Sequence, residues 1–340
     1  MTEYNFSNKE LFIFFMVTFG LTIGMGIAMS FAYNRYPVET FAQVQMYYPA
    51  IGVMIVLLLN KERRKKLPMK FYGTYLFFTI TSILILLVGI FVFHKDPGMY
   101  MELWKITGSF SIFLIFAFPD EKAKMYDFGL GFGKKVKASI GYILLFFVLL
   151  ICVNILSELI LGGIKGITTI LQNMKIFMNS LFILPALFLS QFILFLGEEY
   201  GWRYFLQTAL QQRLGKRTGV ILLGIIWSIW HLPINLFYYS PMTPFYSILN
   251  QVIGCIGYAI FFGFVYMKTE NIWTVSIIHF VNNGIVPTLN NAGGINVVLS
   301  GELVLANLIY FCVIYLPFLF TKEYGKDKKE IGITNQGKSI

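Results

Sequence analysis

Long apolar runs recur along this chain with only short polar breaks, and they leave it few folds to choose from. Crossing a bilayer takes about 20 mostly apolar residues as a helix. That rule predicts ten spans, near 11–32, 41–60, 71–93, 101–118, 139–157, 180–199, 219–237, 248–267, 272–289 and 302–320. The fourth is the weakest, with Glu102 and Lys105 at its start. The sixth is expected to continue as helix to about residue 213, since nothing breaks it before Gly215. The predicted fold class is all-α, a polytopic transmembrane helical bundle. Composition agrees: 57% of residues are hydrophobic and 13% charged, where a soluble domain carries about 25% charged.

Basic residues are distributed unevenly between the breaks. KERRKKLPMK (61–70), the five lysines of 119–138, RLGKR (213–217) and the tail from Lys322 fall on one face if the N-terminus starts inside. Of 27 Lys and Arg, only Arg35, Lys95, Lys105, Lys165 and Lys175 fall on the other face, which leaves 22. Cytoplasmic loops carry such an excess, so both termini are expected inside, with the basic face cytoplasmic. The net charge of +10 then reflects anionic lipid rather than nucleic acid as the partner. The first run is expected to be a retained span, not a cleaved signal, because no basic region precedes it. The end, GKSI, carries no lipidation cysteine. Cys152, Cys255 and Cys312 lie in three different runs without metal-ligand spacing and read as small core residues.

Four blocks are expected. Residues 1–179 hold spans one to five and an external connection, whose part 157–179 reads equally well as an interfacial helix or a plain loop. Residues 180–289 form a core of spans six to nine, 290–320 the last helix, and 321–340 a polar cytoplasmic tail.

Two adjacent glutamates interrupt the sixth run, in LFLGEEYGWRYF. A charged residue at membrane depth costs roughly 2.5–3.5 kcal/mol even on the most lenient scale, so the pair calls for a reason. Glu199 and Arg203 are spaced i, i+4 and share a helical face, where they can pair. Glu198 points roughly 100° away, free to face a cavity and act as a general acid or base. A buried ion cluster that only holds helices together is the plainer alternative. His231, in IWSIWHLPIN, lies about 16 Å along its helix at 1.5 Å per residue, with Pro233 loosening the backbone beside it. A core histidine satisfied by hydrogen bonds is the plainer alternative there. His279 and Asn283, in IIHFVNN, are one turn apart and could donate toward one point as an oxyanion hole. Their plainer alternative is a polar clamp between helices. Together, a carboxylate, a histidine and a His/Asn donor pair are the parts needed for attack of water on a carbonyl.

EEYGWR resembles the EExxxR motif of the CAAX-protease and bacteriocin-processing family of intramembrane proteases, which includes the type II CAAX prenyl endopeptidases. IWSIWHLPIN resembles the family's FxxxH motif, with Trp227 where the family has Phe, and IIHFVNN matches HxxxN. The resemblance covers about 180–287. It implies an endopeptidase of fully helical fold, open toward the cytosol. Glu198 and His231 would activate water, His279 and Asn283 would stabilise the oxyanion, and Glu199 with Arg203 would hold the site in shape. The family is commonly labelled metallopeptidase. Zinc would find enough ligands in two histidines and one glutamate. It would also need a separate base and would pull Glu199 from its arginine, so a cofactor-free reaction is favoured over zinc. HExxH, GxGD and GxSxG are all absent.

The Ile-, Lys-, Asn- and Phe-rich composition points to a low-GC bacterium and its plasma membrane. The expected partner is therefore a membrane-associated peptide or lipid-anchored protein, such as a pheromone or bacteriocin precursor. A non-catalytic bacteriocin-immunity or scaffold protein of the same fold is the main rival. A transporter using the buried carboxylate as a proton relay would require an inverted repeat, and no such repeat stands out.

Overall fold

The computed structural model describes residues 5–132, 135–162, 178, 181–289 and 296–325. Over these residues the chain is helical, without strands. Six helices are long and apolar enough to cross a membrane: Asn8–Ala32, Glu39–Leu59, Met69–Phe91, Val136–Leu156, Pro244–Thr269 and Gly301–Phe320. Two bent pairs, Gly98–Ile115 with Pro119–Asp127 and Lys216–Trp230 with Leu232–Tyr239, raise the number to eight if each is one span. The two expected spans outside that number carry most of the polar residues singled out above. Leu184–Glu199 has 16 residues before its helix changes form, and Ile272–Leu289 holds His279, Asn282 and Asn283 among its 18. Helices that carry a buried polar site give up the uniform apolar surface of those that meet lipid. Residues 163–177 and 179 of the expected 157–179 connection lie outside the described residues, as does the tail after Gly325.

Contacts between segments far apart in the chain tie together two ends of the bundle. At the basic end, Ser7 caps the first helix in a capping box with Glu10, a pairing that satisfies two of the helix's free N–H groups. Glu10 also receives Arg63 at 3.4 Å. Arg217 Nε donates to the Leu319 carbonyl at 3.2 Å, Lys135 meets Glu270 at 3.0 Å, and Lys268 pairs with Glu323. At the opposite end, the backbone of Asn296 and Val297 donates to the carbonyls of Tyr238 and Tyr239 at 3.2 and 2.9 Å. There Gln43 also donates to Glu102 at 3.0 Å.

The sixth run is the structural axis. It is α-helical over Leu184–Glu199, widens to a π-helix over Tyr200–Gln207, and returns to α-helix over Thr208–Leu214. The expected continuation to about 213 is borne out. The wide turn in its middle is not a periodicity that apolar spacing encodes, and such π turns recur at functional sites. Gly197 and Gly201 let this helix press against the second run. A Cβ on Gly197 would lie 2.8 Å from the Met46 carbonyl oxygen and 2.0 Å from the Tyr75 hydroxyl. One on Gly201 would lie 2.2 Å from Pro49 Cβ and 2.8 Å from its backbone. Small residues four apart allow this kind of close helix approach in membranes.

Candidate active site

Helix Lys216–Trp230 stops at His231, and the chain turns by 47° into Leu232–Tyr239. Pro233 has no N–H to continue the ladder, and its ring crowds the preceding turn. The carbonyls near the break find side-chain partners. Trp227 O takes His231 Nδ1 at 2.8 Å, Trp230 O takes Gln45 Nε2 at 2.7 Å, and His231 O takes Asn235 Nδ2 at 3.0 Å. A carbonyl only accepts, so His231 carries its proton on Nδ1 and keeps a lone pair on Nε2. The bend thus fixes both the position and the tautomer of this histidine.

A cleft of about 420 Å³ has Glu198 and His231 among its walls. Both are buried. The Glu198 carboxylate is held by two indoles on one oxygen: Trp227 Nε1 donates to Oε2 at 3.0 Å and Trp202 Nε1 donates to the same atom at 3.3 Å. The other oxygen has no protein donor among the described residues. Glu199, one residue on, points elsewhere and is 0% exposed. Its Oε2 accepts from Arg203 Nε at 2.7 Å and its Oε1 accepts from His279 Nδ1 at 2.8 Å. The Arg203 guanidinium lies 4.9 Å from the Trp227 ring and 5.4 Å from that of Phe262, so aromatic faces take up the charge that hydrogen bonds leave over.

Glu198 and Glu199 therefore diverge as their helical phase predicts, one to the cleft and one to Arg203. The His/Asn pair departs from expectation. His279 is turned onto Glu199, while Asn283 lies on the exposed rim of the cleft, its Oδ1 accepting from Asn282 Nδ2 at 3.1 Å. One turn of helix brought both to the same side, but the carboxylate of Glu199, reaching in from another helix, captured the histidine.

Sequence reasoning missed several groups. Trp202 is spaced i, i+4 from Glu198, a signal that was available. Trp227 drew notice only as a departure from the Phe of FxxxH, yet it is the shorter donor to Glu198. Gln43 and Gln45 were visible as polar residues inside the second run, and that run walls the cleft through Glu39, Gln43 and Met46. The chemistry-bearing surface thus extends beyond 180–289. Among the described residues, no group of three or more His, Cys, Asp and Glu side chains is arranged to hold a metal ion.

The exposed residues of the lining bear on where the cleft opens. Glu39, Asn283 and Gly284 are the exposed residues of the lining, and Tyr238 is half-buried; Glu39 starts the second run and Tyr238 closes Leu232–Tyr239, both away from the basic stretches. Below Glu198, toward the basic end, Trp202, Arg203, Phe205 and Gln207 are all buried. The side on which the helices separate is a property of their packing, not of depth along any one helix.

Residues 179–285 match the family model described as type II CAAX prenyl endopeptidase Rce1-like. Over that segment the chain is similar to the CAAX-protease family. The match spans about a third of the chain and includes Glu198, Glu199, Arg203, His231, His279 and Asn283, so the resemblance carried by the three motifs is borne out. No curated protein and no solved structure gives a match.

Proposed function

We propose that this protein is an intramembrane endopeptidase that hydrolyses a peptide bond of a membrane-associated polypeptide, with Glu198 as general base. The observation that carries this reading is that one cleft is lined both by His231 and by a buried glutamate held by indole N–H groups rather than by a cation. A carboxylate tied to an arginine, as Glu199 is, has its charge already spent. Glu198 has two neutral donors on one oxygen and keeps the other for water.

In this mechanism a water in the cleft donates one hydrogen to Glu198 and the other to the lone pair on His231 Nε2. The water oxygen attacks the scissile carbonyl as its proton passes to Glu198. The carbonyl electrons move to oxygen, giving a tetrahedral oxyanion. As the C–N bond breaks, Glu198 returns the proton to the leaving amine. Asn283, on the rim, has an amide that can donate to the oxyanion. His279 holds Glu199 through Nδ1, so its Nε2 can donate only while the ring is imidazolium.

The reading is metal-free because zinc would pull Glu199 from Arg203, to which it is bound at 2.7 Å. The chain crosses the plasma membrane with both termini on the side of the basic face, as the charge asymmetry favours. Ten crossings are consistent with that asymmetry if Leu184–Glu199 and Ile272–Leu289 also span. The test is comparative peptidomics of cells carrying wild-type protein or Glu198→Gln. One precursor should accumulate in the variant, and purified wild-type protein should cleave it in detergent. Full cleavage by Glu198→Gln would remove Glu198 from this role.

A further inference from the structure

We infer that the cleft is loaded from the side of the membrane opposite the basic face, the outer side under the positive-inside rule, and that its occupant is an apolar segment of another polypeptide lying in that outer half. This rests on the proposed hydrolysis for the nature of the occupant, but on geometry alone for the direction. Glu39, an exposed residue of the lining, and Tyr238 beside it in the lining sit at the end of the bundle where Asn296 and Val297 bond to Tyr238 and Tyr239; we take this end as the mouth. The basic end is tied by Arg63–Glu10, Lys135–Glu270 and Arg217–Leu319. Lysine-rich faces stay cytoplasmic, so the mouth faces away from the cytoplasm.

Beneath the catalytic glutamate, the described side chains are closely packed. Trp202, Phe205 and Gln207 fill the next two turns and are buried. Phe14 of the first helix closes on Trp202 and Phe205, with ring centroids 6.0 and 4.7 Å apart. Gln207 is pinned to the Gly263 carbonyl at 3.3 Å.

The approach to the mouth is suited to an apolar chain. Gln191 lines the cleft, and on the same helical face one and two turns earlier stand Leu187 and Ile183, both exposed. They continue the cleft wall as an apolar track toward the outer end. Glu39 and Glu198 are the charged side chains of the lining, with no Lys or Arg among the described lining residues. A free C-terminal carboxylate in the cleft would lie between two acids and no cation. An internal stretch of a polypeptide, its ends outside the cleft, meets no such repulsion.

Accessibility tests the direction without requiring activity. In a Cys152→Ser, Cys312→Ser background, which removes the exposed thiols, Glu39→Cys and Arg35→Cys report on the mouth end and Lys61→Cys on the basic end. All three sites are exposed. In intact bacterial cells a charged, membrane-impermeant maleimide should label Glu39→Cys and Arg35→Cys, and Lys61→Cys only after permeabilisation. The converse pattern overturns the inference. If the mouth labels from outside but Glu198→Gln changes no peptide, the direction stands and the protease reading fails. If Glu198→Gln blocks cleavage while the mouth labels only from inside, hydrolysis stands and outer loading fails.

Discussion

Replacing Trp227 by Phe isolates one atom of the site. The substitution keeps a ring under the Arg203 guanidinium, now 4.9 Å away, and it leaves the residue 227 carbonyl that fixes His231 Nδ1 at 2.8 Å. What it removes is the indole N–H that reaches Glu198 Oε2 at 3.0 Å. A hydrogen bond to a charged group contributes about 1.5–3 kcal/mol. Each 1.36 kcal/mol of barrier is tenfold in rate. If the carboxylate works as the base, kcat/KM should fall by about one to two powers of ten. Trp202→Phe removes a longer bond, 3.3 Å, and should cost less. The assay is cleavage of the accumulating precursor by purified protein in detergent, with thermal unfolding measured alongside to show that both variants fold. Trp227→Phe also recreates the residue of the family's FxxxH motif, so the experiment has a real chance of failing. Activity within about twofold of wild type, well under the tenfold that 1.36 kcal/mol represents, would refute the claim that the indole holds the base.

Glu199→Gln should act on stability before chemistry. It leaves Arg203 buried without its ion pair, and breaking such a pair costs about 3–5 kcal/mol, so the unfolding temperature in detergent should drop well below that of Glu198→Gln. Gly201→Ala drives a Cβ to 2.2 Å from Pro49. Overpacking of this kind costs about 1–3 kcal/mol, whereas Gly20→Ala, with nothing within 4 Å, should be neutral or slightly stabilising by the same measurement. Cleavage should persist after exhaustive treatment with a zinc chelator, and loss that zinc alone restores would replace the metal-free mechanism.

Much of this protein follows from local rules that a linear chain carries in full. An apolar run of about 20 residues in lipid must satisfy its own backbone, and a helix does so; this fixed the helical fold and most of the spans. Helical phase within one run separated Glu198 from Glu199 and joined Glu199 to Arg203, because i, i+4 neighbours meet whatever surrounds them. Pro233 foretold the break beside His231 for the same local reason. Which faces meet across helices was decided only by the fold. His279 and Glu199 are 80 residues apart, and no periodicity could say that the histidine would reach Glu199 rather than join Asn283. Trp227 finds Glu198 across 29 residues, on a sixth run whose next turn is widened to a π-helix. The second run became part of the cleft because Gly197 and Gly201 admit it closely. The direction of opening is likewise tertiary: it depends on where packed helices part, and apolar helices part where side-chain volumes leave a gap, not where any one sequence segment marks an end.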